Sequence, residues 1–363
     1  MELTKILSKL ITIPSFVDEK NNEQKLAVFI ESYLKVNAPW LNLSRQYVAE
    51  DRWNIIAGEA KNPELVFVCH MDTVQPTGDT QKMLSPSEKD GYIYGLGAAD
   101  MKGGTAALLA AIKAVGPTKN VAYVFDCDEE YYFKGAKQLL KKCKWNPQLV
   151  ICPEPTDMEI VNGCRGIIEI KLDVIGKSAH AGRPDFGINA IEKAVAVISE
   201  LKSKIGEFDE KKLGRTTVNL SRLDGGKLQN GQIITQGNAV PDVARVLLDI
   251  RPASNKLNGD RIIRMLMTIA KRNNVTLSGP TVTIDYPAYY SIPNECINRP
   301  YRANLGKGGF YEAALFSRAW QCTAFTFGPG DASTSHSPDE RVKLADLTSV
   351  KKVFEKLLLT YRV

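Results

Sequence analysis

Three histidines occur in the 363-residue chain, His70, His180 and His336, and each stands in a short polar motif beside glycine, proline or acidic residues. His70 opens His70-Met71-Asp72 directly after the apolar run Leu65-Val66-Phe67-Val68-Cys69. An imidazole and a carboxylate therefore project on one side at the end of a strand. Further on, Gly95-Leu96-Gly97-Ala98-Ala99-Asp100-Met101-Lys102-Gly103-Gly104 is a glycine-rich turn that carries one acid and opens a helix. Its spacing is not that of a phosphate loop, and a carboxylate in its middle would repel phosphate, so a cation suits it better. Val121 to Phe125 leads into Asp126-Cys127-Asp128-Glu129-Glu130, and Leu149 to Cys152 into Pro153-Glu154-Pro155-Thr156. Near the end, Gly328-Pro329-Gly330-Asp331 precedes Ser335-His336-Ser337-Pro338-Asp339-Glu340.

Each fragment is ordinary alone, since exposed acids and single histidines are common. Together, four strands deliver imidazole or carboxylate groups to one edge of a sheet. Zinc binds both, and two zincs about 3.5–4 Å apart need a bridging carboxylate and two further ligands each. His70, Asp100, Glu130, Glu154 and His336 supply that set. Glu129 stays free to take a proton from an attacking water, and Asp72 is placed to orient His70. Lys102 reads as a surface residue at a helix start.

The elements that must hold these groups follow from the patterning. Over the first 165 residues or so, short β-branched runs alternate with helical stretches such as Thr105 to Val115, the signature of an α/β sheet whose ligands gather where strands end. From about Ile167 long alternating strands appear (Ile168 to Ile175, Thr216 to Leu220, Arg245 to Ile250) with two amphipathic helices, Asn189 to Lys204 and Lys256 to Arg272. Two helices on one antiparallel sheet make an α+β unit. After about Tyr286 the α/β texture returns, with a strand at Cys322 to Phe327 and a closing helix. The expected architecture is α/β: a catalytic domain of residues 1–166 and 287–363 with a central, mostly parallel sheet, interrupted by an α+β domain of residues 167–286.

Composition narrows the function. Lysine and arginine number 47 against 41 acids, a net charge of +6 spread among acidic neighbours. That suits a small anionic substrate and not nucleic acid, which calls for a basic stripe. No apolar run approaches the roughly 18–20 residues that span a bilayer, so the expected location is the cytoplasm, with no membrane partner. Seven cysteines without a CxxC pair suggest neither a disulfide framework nor a thiolate metal site.

Across nearly its whole length the sequence resembles the co-catalytic zinc aminoacylase and carboxypeptidase family, which includes acetylornithine deacetylase, succinyl-diaminopimelate desuccinylase and the glutamate carboxypeptidases. The resemblance rests on His70-Met71-Asp72-Thr73-Val74, Tyr94 to Gly97 with Asp100 to Gly104, Asp128-Glu129-Glu130, Glu154-Pro155-Thr156, Gly176-Lys177-Ser178-Ala179-His180-Ala181-Gly182, Asn238-Ala239-Val240-Pro241 and Gly330 to Glu340. It implies a zinc-peptidase-like fold with His70 and Glu154 on one zinc, Glu130 and His336 on the other, and Asp100 between them. Co2+ or Mn2+ would substitute for Zn2+. It further implies Glu129 as general base and acid, and a homodimer formed through the inserted lid domain. His180 would reach the partner's active site to stabilise the oxyanion. Asn238, Arg251 and Arg165 match positions around the scissile carbonyl and the substrate's anionic groups.

Phe327-Gly328-Pro329-Gly330-Asp331 and Asp126 to Glu130 look most like the short desuccinylases of actinobacterial type, which implies hydrolysis of N-succinyl-LL-2,6-diaminopimelate for lysine biosynthesis. N-acetylornithine or N-acetyllysine deacetylation, dipeptidase or carboxypeptidase activity, and a catalytically silent binding protein are the alternatives. One departure bears on substrate: Gly308-Gly309-Phe310-Tyr311-Glu312-Ala313 stands where many relatives carry a hydroxyl and an acid.

Overall fold

The computed structural model describes residues 2–234, 236–291, 301–302 and 309–363, so Cys296 and Gly308 lie outside the described residues. The chain divides into two compact units, one drawn mainly from Met1–Asn162 and Tyr311–Val363, the other from Gly163–Tyr289. In the first, the described residues form an eight-stranded mixed sheet. Its middle strands run in the order Val121–Asp126, Leu65–His70, Leu149–Cys152, Thr323–Thr326 and pair parallel. Leu65–His70 and Val121–Asp126 are buried at every residue, as strands covered on both faces must be. Antiparallel strands Leu43–Ala49 and Arg52–Gly58 extend one side.

Helix Lys102–Val115 is buried along most of its length and packs against helices Glu2–Ile11 and Leu344–Leu359. Phe67 stacks on Tyr123 with ring centres 6.1 Å apart and meets Phe354 edge-on at 5.1 Å, joining sheet to closing helix. Because the middle strands are parallel, their carboxyl ends lie along one edge. His70 is in register with Asp126, and Cys152 with Thr326. Residues that follow those ends converge.

The second unit is an antiparallel sheet in the order Gln232–Ile234, Thr217–Gln229, Val243–Arg251, Ile167–Ile175, Thr276–Tyr286. Ile168, Ile170, Leu172 and Val174 point into a core shared with helices Ala190–Lys204 and Gly259–Arg272, while Lys171 faces out. Asn189 and Asn258 cap those helices by accepting from backbone amides of their first turns. Two features differ from the sequence expectation. The strand expected to end at Leu220 continues to Gln229 across a register shift. The strand Thr276–Tyr286 is not among the strands expected; it holds Gly279-Pro280, and on a sheet edge, at an irregular register, proline is tolerated. Among the described residues no helix is long and apolar enough to cross a membrane.

Candidate metal centre

The sequence fragments converge in the first unit. His70 Nε2 lies 3.1 Å from Asp100 Oδ1 and 3.7 Å from Glu154 Oε1. His336 Nε2 lies 3.1 Å from Glu130 Oε1 and 3.6 Å from Asp100 Oδ2. Asp100 thus turns one oxygen to each imidazole. His70, Asp100 and Glu154 offer donor atoms within 4.8 Å of one another, and so do Asp100, Glu130 and His336.

The donor set fits a pair of divalent cations. Glu154 Oε1 is buried with no hydrogen-bond partner, and a buried lone carboxylate oxygen is costly unless a cation meets it. Burial pushes the Glu154 carboxyl up to about 7 against the pull of His70. The hydrogen bond to Glu130 holds His336 up at about 9. Burial, with the charges of Glu154 and Glu130, also drives the Glu129 carboxyl well above the usual range. Burial leads for the two glutamates, and neighbouring negative charge that cations would neutralise contributes to all three shifts.

Close packing brings the fragments to these distances. Gly97 adopts φ 76° in the turn before Asp100. A Cβ on Gly104 would sit 2.0 Å from the Pro153 carbonyl oxygen, so only glycine lets this helix start lie against the loop that carries Glu154. The Asp100–Met101 peptide is cis. Lys102, expected at the surface, is buried and donates to the Ile13 carbonyl at 3.0 Å; burial pulls its ammonium down to about 7.

Asp72 acts by a route the sequence did not specify. Its main-chain carbonyl meets His70 Nδ1 at 3.0 Å, and its carboxylate Oδ1 lies 3.8 Å from the same nitrogen. Its two carboxylate oxygens accept from the amides of Glu129 at 3.1 Å and Glu130 at 2.9 Å. One residue thus contacts His70 with its backbone and the amides of Glu129 and Glu130 with its side chain.

Sequence reasoning assigned no role to Glu340. The structure places its carboxylate under the glycine-rich turn, where it accepts from the amides of Gly97, Ala99 and Asp100 at 3.0, 3.0 and 2.9 Å. Asp126 and Glu312 were likewise unassigned. Both are fully buried and their carboxyls act on one another: burial pushes Asp126 up to about 6 and Glu312 well above the usual range. The segment read as lacking an acid therefore places one, Glu312, in the core of this unit.

The other sequence-singled residues lie in the second unit. The loops of His180 and Asn238 are joined by Ala181 N donating to the Asn238 carbonyl at 2.9 Å and Val240 N to the Ala179 carbonyl at 2.8 Å. His180 is exposed, and its Nδ1 accepts from Gly182 N at 3.0 Å. Arg251 is bidentate to Asp249 at 2.7 and 2.9 Å. Arg165 donates to the Arg215 carbonyl and to Thr217 Oγ1, and burial together with the charge of Arg251 pulls its guanidinium down.

A family model described as peptidase family M20/M25/M40 matches residues 66–360. The chain belongs to this family. A probable carboxypeptidase of Emericella nidulans is 26% identical over 392 residues, covering 96% of this chain and 87% of that protein. An acetylornithine deacetylase of Buchnera aphidicola subsp. Schizaphis graminum is 25% identical over 380 residues, covering 98% and 96%. The crystal structure of a Staphylococcus aureus tripeptidase superposes with a TM-score of 0.79 at 22% identity, covering 99% of this chain and 98% of that one. The expected α/β zinc-peptidase-like fold is the observed one, and this M20 member is a hydrolase of amide bonds.

Proposed function

We propose that the protein removes the acyl group from an N-acylated amino acid, using two Zn2+ ions held by His70 and Glu154, by Glu130 and His336, and by Asp100 between them. The observation that carries this reading is the carboxylate of Asp100, one oxygen toward each imidazole, with Glu129 beside it and outside both donor groups. Bound metal ions would acidify water and polarise the acyl carbonyl. The chain's own part is proton handling and positioning. Glu129 takes the proton of the attacking water and returns it to the departing amine. An oxyanion develops on the carbonyl oxygen, and His180 donates to it. Arg165 and Arg251, whose charges act on one another, attract the substrate's carboxylates, and Asn238 lies beside His180 to contact the scissile group.

N-succinyl-LL-2,6-diaminopimelate is the substrate we favour, because its carboxylates match a cationic subsite. An acetylated amino acid is the second reading, favoured by the Buchnera acetylornithine deacetylase aligning over 96% of its length. Under this proposal residues 167–286 form a lid and dimerisation domain of a cytoplasmic homodimer. Zinc-loaded protein should hydrolyse the succinylated substrate and lose activity with chelator. Preference for N-acetylornithine, N-acetyllysine or a dipeptide would replace the substrate while keeping the chemistry. No turnover at full zinc occupancy would favour a silent binding relative.

A further inference from the structure

Three consecutive amides in the segment bearing Glu129 and Glu130 are each held by a buried carboxylate. Asp128 N donates to Glu23 Oε1 at 3.0 Å, and Asp72 receives the next two. Asp128 adopts φ 71°, a left-handed conformation. Lys134 Nζ lies 3.6 Å from its Oδ1, and the same oxygen is held from the interior by Arg52. Its Nε and Nη2 donate to the two oxygens of Glu23 at 2.8 and 2.6 Å, and Nη2 donates to Asp128 Oδ1 at 2.8 Å. The Glu23 and Arg52 side chains are 1% and 10% exposed. The planar guanidinium fixes direction as well as charge, which a point ammonium does not.

Glu23 and Arg52 come from far earlier in the chain than the segment they hold. Glu23 precedes helix Gln24–Asn37, and Arg52 begins strand Arg52–Gly58. Asp128 is thereby gripped at both its amide and its carboxylate. The peptide that follows sets the directions in which Glu129 and Glu130 leave the backbone. A rotation there would move a proton-transferring group and a metal ligand together.

We propose that Arg52 and Glu23 are positioning residues for Glu129 and Glu130, an inference that rests on the two-metal hydrolase reading above. The pair touches neither group; it acts through Asp128. The competing view is an ion pair that only stabilises the fold. Arg45 and Glu31 give the control, a more exposed bidentate pair at 2.7 and 2.6 Å from the same unit that holds no part of the segment.

The test uses the full chain with Arg52→Met, Arg52→Lys, Arg52→Ala and Arg45→Met. Zinc affinity is read by competition with a chromophoric chelator, beside kcat, KM and thermal unfolding. Folded Arg52→Met should weaken one zinc site about 10–100-fold, the range for losing an outer-shell partner, and lower kcat with little change in KM. Arg45→Met should lower thermal stability and leave zinc affinity and kcat alone. Methylguanidinium should restore kcat to Arg52→Ala. If Arg52→Met does not fold, Arg52→Lys, which keeps the charge without the fork, should show a smaller change of the same kind. Wild-type zinc affinity and kcat in a folded Arg52 variant would overturn the proposal, and so would losses no different from those of Arg45→Met. Wild-type protein without amide turnover would instead overturn the hydrolase reading, while the zinc titration still decides the positioning one.

Discussion

Under the proposed mechanism Glu129 and Glu130 are neighbours with different tasks, and the difference lies in what each faces. Glu130 meets His336, whereas Glu129 is absent from both donor groups. Glu129→Gln should therefore lower kcat by about 10²–10⁴, the usual contribution of a positioned acid–base group, while metal analysis still finds two zincs. Normal turnover would remove Glu129 from the mechanism. Glu340→Ala tests another kind of residue. It would strand the amides of Gly97, Ala99 and Asp100, and each unsatisfied buried amide costs about 1–3 kcal/mol. Thermal unfolding should fall clearly and zinc affinity with it; unchanged values for both would show that water replaces the carboxylate. The proposed ligands could be singled out because zinc accepts few side chains and His70, Glu130 and Glu154 stand shortly after apolar runs. Glu340, and the buried pair Asp126 and Glu312, could not, because their meaning lies in partners that only the folded chain supplies.

At the scale of elements, the buried parallel strands could be read directly, since a strand covered on both faces is an uninterrupted apolar run. The strand Thr276–Tyr286 could not, because an edge strand admits polar residues and a Gly-Pro irregularity that elsewhere end a strand. The helix Lys102–Val115 was legible from its alanines and leucines, yet the reason for Gly103-Gly104 at its start appears only in the packing. Gly104→Ala would bring a methyl against the Pro153 carbonyl, backbone against side chain with no rotamer to relieve it. The Glu154 loop must retreat. We expect a lower midpoint of thermal unfolding and weakened zinc binding, read by stoichiometry after dialysis against a weak chelator. Gly116→Ala is the comparison, because an added Cβ there meets nothing although its φ of 83° is strained. If both variants lose stability but keep two zincs, the close approach serves the fold alone.

At the scale of the whole molecule the question is which chain completes which site. His180 is exposed, and its Nδ1 accepts a hydrogen bond from Gly182 N, which puts the ring proton on Nε2. An outward Nε2–H is the donor that a developing oxyanion requires. Under the proposed homodimer this donor serves the partner's metal centre, so each active site draws on two chains. His180→Ala should lower kcat by about 10²–10³ with both zincs retained. Glu129→Ala should be equally poor for an unrelated reason. Mixed in equal amounts and allowed to exchange subunits, half of the dimers would pair one defect with the other. Each such dimer would hold one site with an intact Glu129 and a His180 lent by its partner, restoring about a quarter of wild-type activity in a closed two-fold assembly. A mixture that stays inactive, with subunit exchange confirmed by mass spectrometry of differently labelled chains, would assign His180 to its own chain's site. A His180→Ala protein with full activity would take the histidine out of the reaction altogether, leaving the metals and Glu129 to carry the chemistry.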